Sequence, residues 1–250
     1  MNTYQKPVTA DHVRRKHAHA LRRNAKEGRR TKMDYEKYII DSINTLSGRY
    51  TPYQVFSDWI AMTAIAIQNG CTMIHGKLYE DRENQYKSIA TKYSESEIKT
   101  ICNMTGALTE VFEERFGDIL GEIYMKSGCG SKQTGQFFTP YHLSYTMAQL
   151  AFSKEGEKER YELNEPSTGG GGAIIAFAQV LKENGINYQK KMHVVAQDLD
   201  WNGVYMTYIQ LSLLGIKAIV AQGDTLHKPY AKGYEERLVF RTPEEMGALL

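Results

Sequence analysis

Three short segments in the second half of this 250-residue chain carry residues whose types and spacing could do chemistry. The first is Asn164-Glu165-Pro166-Ser167-Thr168-Gly169-Gly170-Gly171-Gly172. Glycines ahead of a helix let a ligand approach the backbone and leave the helix N-terminus open to it. The same run also reads as a tight loop. The second is Gln197-Asp198-Leu199-Asp200, at the end of an apolar stretch. A carboxylate at a strand end can accept both hydroxyls of a ribose, or it can cap the helix that follows. The third is Gly223-Asp224-Thr225-Leu226. An acid there can accept from an exocyclic amine, or form an Asx turn. Taken in order, a glycine loop, an acid and a second acid describe a nucleoside cofactor laid across the edge of a parallel sheet. The P-loop lysine is absent, and the glycine run is not a clean G-x-G-x-x-G.

The surrounding pattern supplies the elements that would position these segments. Short strands are expected near 160–164, at 192–197, at 217–221 and near 237–240. Helices are expected at 172–183 and at 201–214, the latter closed by Gly215. Alternation of this kind argues for βαβ units and a mostly parallel sheet. Pro140 and Tyr141 open another helix that runs through Leu150. Upstream, residues 33–128 read as helical. Asp34 caps a helix that ends before Gly48. Thr51-Pro52 starts an apolar, buried helix that runs to Gly70. Ser94-Glu95-Ser96-Glu97 is a capping box, and Asp118 starts a further helix. The expected fold is therefore α/β, with an N-terminal helical domain at 33–130 and a sheet domain at 131–250. The small-residue run at 127–135 supplies the boundary.

Charge sets off a third part. The chain carries 31 basic and 29 acidic residues, a formal balance of +2. Residues 1–32 hold ten lysines and arginines against Asp11 and Glu27, or +8, which leaves −6 for the rest. Apolar residues are too sparse there for a core-facing stripe. Arg14, Arg15, Lys16, Arg22, Arg23, Arg29 and Arg30 suit a phosphate backbone, and a solvated tail is the plainer alternative. Cys71, Cys102 and Cys129 form no close pair, so neither a disulfide framework nor a cysteine metal site is expected. No apolar run approaches the roughly 20 residues that span a bilayer, and no secretory signal opens the chain. The expected setting is cytoplasmic.

Upstream of the glycine loop stands Gly135-Gln136-Phe137-Phe138-Thr139-Pro140. With EPSTGGGG (165–172), QDLD (197–200) and GDTL (223–226), it resembles the N6-adenine DNA methyltransferase family, and the modification subunits of type I restriction systems in particular. Asp118-Ile119-Leu120-Gly121-Glu122-Ile123-Tyr124 is similar to the helix that precedes the first motif in those proteins. The resemblance covers roughly 50–226. It implies a Rossmann-like sheet of the S-adenosylmethionine-dependent methyltransferase kind, shortened here, with S-adenosylmethionine as cofactor and DNA as partner. By position, Phe138, Thr139 and Pro140 would contact the methionine moiety. Glu165, with Ser167 in the same turn, would stand beside the cofactor amine. Gly169 and Gly171 would pass beneath it, Asp198 would hold the ribose, and Asp224 the adenine amine. Glu165 and Thr168 replace the family's usual Asp and Cys.

One family element is absent. The family's [DNS]-P-P-[YF] follows the fourth strand, stacks a flipped adenine and accepts hydrogen bonds from its N6 amine. No two prolines are adjacent in this sequence. Arg241-Thr242-Pro243-Glu244 follows the fourth strand candidate, and Arg241 has only donors. His227-Lys228-Pro229-Tyr230 lies too close behind the third acid to replace the motif. Three readings remain open from sequence. The chain is an adenine methyltransferase that uses unusual residues or a partner's catalytic motif (a protein partner or a homodimer being expected), a degenerate cofactor- or DNA-binding regulator or decoy of restriction–modification, or a structural subunit with an empty site.

Overall fold

The computed structural model describes residues 33–73, 75–129, 138–152 and 158–247. The basic arm, Gly135, Gln136, Phe137 and most of the small-residue break lie outside them. Five helices come first: α1 (Tyr35–Leu46), α2 (Pro52–Cys71), α3 (Lys77–Ala90), α4 (Glu95–Glu114) and α5 (Ile119–Lys126). Their starts follow local chemistry. The Asp34 and Thr51 side chains accept from the Lys37 and Gln54 amides, Pro52 occupies the first turn of α2, and Ser94 with Glu97 forms a reciprocal capping box.

The second half runs α6 (Tyr141–Ala151), β1 (Tyr161–Glu165), α7 (Gly172–Glu183), the single turn α8 (Tyr188–Lys191), β2 (Met192–Asp198), α9 (Trp201–Leu213), β3 (Lys217–Gln222), a 3-10 turn (Glu236–Leu238) and β4 (Val239–Arg241). The fold is α/β, with a helical N-terminal region and a small, mainly parallel sheet. Strand order is β1-β2-β3-β4. The first three strands are parallel, with Glu165 beside Ala196 and Asp198 beside Gln222. Their carboxyl ends therefore finish along one edge.

One buried apolar cluster joins the helices to the sheet, from Ile39 on α1 through Trp59 on α2 and Leu120 on α5 to Tyr208 on α9 and Phe240 on β4. Helix α9 is buried over nearly its whole length, between α2 on one side and β2 and β3 on the other. This explains why its apolar residues show no amphipathic stripe.

Two features differ from the pattern expectations. Helix α3 carries only a thin apolar stripe, with Tyr86, Ile89 and Ala90 packed on the core and Arg82 the other buried residue. Polar contacts add to that packing. The Arg82 guanidinium donates to the Val239 carbonyl at 2.8 Å and lies 4.8 Å over the Phe240 ring, and Gln85 donates to the Tyr205 hydroxyl. The second difference is β4, which runs antiparallel to β3, with Val220 opposite Phe240. The turn at Glu236–Leu238 brings the chain back along β3, so β4 cannot serve as a fourth parallel strand. Arg241 and Thr242 consequently lie beside Ile219 and Ala218, toward the start of β3 and away from the carboxyl edge. They do not occupy a position that follows a fourth parallel strand.

Replacing Arg82 with Ala strips a buried carbonyl of its donor and a buried ring of its cation. The expected cost is about 2–3 kcal/mol in chemical denaturation. A loss below about 0.5 kcal/mol would mean that α3 is held by something else.

Candidate functional site

The chain between β1 and α7 is built to lie close to other groups. Its Thr168 amide still donates to the Gln197 carbonyl at 3.0 Å, so the loop leaves the sheet beside β2. It then turns through Gly169 and Gly171, both at positive φ. That conformation is costly for any residue with a Cβ, which accounts for glycine at these two points.

Three residues one turn apart on α9 hold this loop from below. Gly203 leaves room for Asp198: a Cβ there would meet the Asp198 carboxyl carbon at 2.8 Å. The Thr207 hydroxyl donates to the Gly169 carbonyl at 3.0 Å. The Gln210 amide donates to the Gly170 carbonyl at 2.6 Å and to Asp118 Oδ1 at 2.8 Å, while its carbonyl accepts from the Leu120 amide. Thr207 and Gln210 are both fully buried. Fully buried polar side chains are kept where they satisfy specific backbone groups.

Asp198 ends β2 with both oxygens engaged. Oδ2 accepts from the Gly169 amide at 2.7 Å, and Oδ1 from the Asp200 amide at 2.9 Å. Burial pushes its carboxyl above the ordinary range, against the downward pull of those two amides. Asp118, the N-cap of α5, reaches the same loop from the helical region. Its Oδ1 accepts from Gly121 at 3.0 Å, and a Cβ on Gly121 would overlap its carboxylate. Burial is also the main influence on Asp118 and raises it, while the bonds from Gln210 and Gly121 act in the opposite direction.

These groups surround a crevice of about 410 Å³ at the carboxyl edge of the sheet. It is lined by Asp118, Phe138, Thr139, Ser144, Met147, Glu165, the loop from Ser167 to Gly170, Gly172, Ala173, Asp198 and Gly203. Phe138 lies against the glycine loop: a Cβ on Gly169 would sit 2.8 Å from its ring. Tyr124 packs against that ring, with centroids 5.2 Å apart. Among the described lining residues there are three carboxylates and no lysine, arginine or histidine.

Of the positions singled out from sequence, Phe138, Thr139, Glu165, Ser167, Gly169 and Asp198 line this crevice. Pro140 caps α6, and Gly171 caps α7, where a side chain would press on Thr207. Asp224 is near but turned aside. The β3 loop joins the others through the Gly223 amide on the Asp198 carbonyl and Thr225 on the Pro166 carbonyl. The Asp224 carboxylate, however, accepts from the Leu226 amide and pairs with His227 Nδ1 at 2.6 Å, which holds it below the ordinary range. The arginines and lysine of the basic arm lie outside the described residues. Sequence reasoning missed Asp118, Ser144, Met147 and Gly203 as lining residues. Gly203 offered a signal, because a glycine inside an apolar helix marks a close approach.

The family model described as N-6 DNA Methylase matches residues 113–242, a little over half of the chain. The chain belongs to the N-6 DNA methylase family. Among solved structures it is similar to the methyltransferase subunit of a type I restriction-modification system from Streptococcus thermophilus, with 17% identity, a TM-score of 0.45, and coverage of 80% of this chain and 41% of that one. It is also similar to a protein from Listeria monocytogenes described as a class I S-adenosylmethionine-dependent methyltransferase, with 11% identity, a TM-score of 0.45, and coverage of 77% and 54%. The chain thus spans roughly half the length of these two structures. No curated protein matches its sequence. Among the described residues, no group of His, Cys, Asp and Glu could hold a metal ion, and no helix is long and apolar enough to cross a membrane.

The raised carboxyl of Asp118 fixes a pH dependence. A group with a raised folded pKa contributes stability that is complete below its unfolded value, near 4, and is lost as pH rises through the folded value. Asp118→Asn keeps the cap and removes the titration. The variant should be no less stable than wild type at pH 8, and its melting temperature should fall less steeply as pH rises from about 4. Asp198 leaves a residual slope of the same sign. Slopes identical to wild type would show that Asp118 does not titrate in this range.

Proposed function

We propose that this chain binds S-adenosylmethionine in the crevice between Phe138, Asp118 and Asp198, and serves as the cofactor-holding part of an adenine-N6 DNA methyltransferase. The observation that carries this reading is the charge of the lining. Among the described residues the three carboxylates face no cation, and such a lining repels phosphate, so a dinucleotide or a nucleoside triphosphate fits poorly. A nucleoside that carries a sulfonium and an ammonium fits well, and its ribose hydroxyls can donate to the strand-end acid. The glycine loop admits such a ligand to the backbone, and Phe138 offers it an apolar wall. When bound, the cofactor supplies an electrophilic methyl group.

The chain's own residues then bind and orient. Asp198 keeps the glycine loop closed on the sheet edge while it faces the ribose position. Glu165, whose oxygen accepts from the Ser167 amide, stands at the end of β1 beside the same space. Asp224 reaches an adenine amine only after it parts from His227. Methyl transfer to adenine N6 requires acceptors aimed at an amine that gains positive charge. This sequence holds no [DNS]-P-P-[YF] to provide them. We therefore assign that part of the reaction to residues outside this sequence, and place the protein in the cytoplasm with DNA as substrate. The arm at 1–32, with Arg14, Arg15, Lys16, Arg22, Arg23, Arg29 and Arg30, is assigned to the DNA backbone.

Calorimetric titration tests the cofactor reading. S-adenosylmethionine should bind with micromolar affinity or better, and NAD and ATP at least ~10-fold more weakly, since 1.4 kcal/mol is a factor of ten. Equal binding of all three, or no heat with S-adenosylmethionine, would refute it. With labelled cofactor, residues 1–250 alone should transfer no methyl to adenine-containing duplex; transfer by them would overturn the assignment of the acceptor motif to residues outside this sequence.

Removal of residues 1–32 tests the arm. DNA affinity should fall, and the slope of log affinity against log salt should flatten by about 0.9 for each phosphate that is no longer neutralised. An unchanged slope would free the arm from that role.

A further inference from the structure

Asp118 is distinct from the other two acids of the crevice. It is 5% exposed, it comes from the helical region rather than from a strand end, and among the described residues only one of its oxygens is used. Oδ1 accepts from Gly121 and from Gln210, whereas Oδ2 has no hydrogen-bond partner among the described residues. The loop above is bare at this point. A Cβ on Gly172 would meet Oδ2 at 3.0 Å, and a Cβ on Gly170 would meet Oδ1 at 3.1 Å. Glycines therefore let the carboxylate rise to the floor of the crevice.

Ser144, one turn into α6, lines the same space and is 2% exposed. Its hydroxyl has no partner among the described residues. A carboxylate oxygen left without a partner on a nearly buried residue, and an unmatched buried hydroxyl, are each costly unless a ligand answers them. The carboxylate calls for a cation. The hydroxyl, beside three acids, is the donor left over for an anion.

We propose that Asp118 Oδ2 and Ser144 Oγ form a subsite for a zwitterionic α-amino-acid group, with the carboxylate receiving the ammonium and the hydroxyl donating to the α-carboxylate. The proposal rests on the S-adenosylmethionine reading and deepens it by locating the amino-acid end. That end lies at the helical floor of the crevice rather than at Glu165, which is half-exposed at the tip of β1 and already bound to the Ser167 amide. Gln210 acts as a positioning residue, because it ties Asp118 to the Gly170 carbonyl and so fixes the carboxylate relative to the loop.

The test uses the full chain and three ligands: S-adenosylmethionine, its decarboxylated form, which keeps the ammonium, and 5′-methylthioadenosine, which lacks the amino-acid group. Asp118→Asn preserves the helix cap. It should weaken S-adenosylmethionine and the decarboxylated form about 10- to 100-fold, the range of a hydrogen bond to a charged group, and leave 5′-methylthioadenosine within about 2-fold. Ser144→Ala removes an unsatisfied hydroxyl and should fold at least as well as wild type. It should weaken S-adenosylmethionine several-fold and spare the decarboxylated form. If Asp118→Asn fails to fold, Ser144→Ala still decides: weaker S-adenosylmethionine binding with the decarboxylated form spared supports the subsite, and the absence of a selective effect overturns it.

Equal loss for all three ligands in Asp118→Asn would make Asp118 structural and overturn the subsite. A selective loss in Glu165→Gln, with Asp118→Asn silent, would move the ammonium to β1 and overturn it as well. In either case wild-type binding of S-adenosylmethionine would stand. If wild type binds none of the three ligands, the cofactor reading falls and the subsite falls with it.

Discussion

The glycine loop after β1 is held by a buried stripe of small and polar residues on α9, and the site depends on that hold. Gly203 admits Asp198, Thr207 takes the Gly169 carbonyl, and Gln210 takes the Gly170 carbonyl. Without them, a loop with two residues at positive φ would have many conformations and no reason to keep one. Gln210 also reaches Asp118, so one side chain couples the sheet edge to the helical region. The helices at the N-terminus are thus part of the crevice. They supply its floor through Asp118 and pack the wall at Phe138 through Tyr124.

Concentrating acids at such a site has a cost. Burial raises both Asp118 and Asp198, which means that their charged forms are poorly solvated. Backbone amides relieve Asp198 on both oxygens, whereas Asp118 is relieved on one. The remaining strain is of the kind that a cationic ligand removes. A site tuned in this way trades stability of the free chain for selectivity toward positive charge.

Much of this is legible in the residues. Caps such as Thr51-Pro52 and the Ser94 box act over one helical turn, so helix starts read closely. Apolar runs bounded by glycine locate β2, β3 and α9. The order of the glycine loop and the two strand-end acids points to the carboxyl edge without any geometry. What the residues do not disclose are the long-range polar contacts. Helix α3 has only a thin apolar stripe, and Arg82 ties it to a carbonyl 157 positions away. The direction of β4 depends on a turn whose residues carry no strong signal. The side chain of Asp224 is set by His227, three residues on, a pairing that competes with the ligand role its motif suggests. Asp118 reads as a helix cap, which it is. Its second position, beneath the glycine loop, exists only once α5 and α9 have packed together.

The central claim is that three carboxylates and a glycine loop at one sheet edge select a positively charged nucleoside. A crystal structure of the chain grown with S-adenosylmethionine tests it most directly. The account predicts a ligand lying between Phe138 and the glycine loop, with its ribose at Asp198. A ligand bound on another face, or a crevice that stays empty at saturating cofactor, would contradict it.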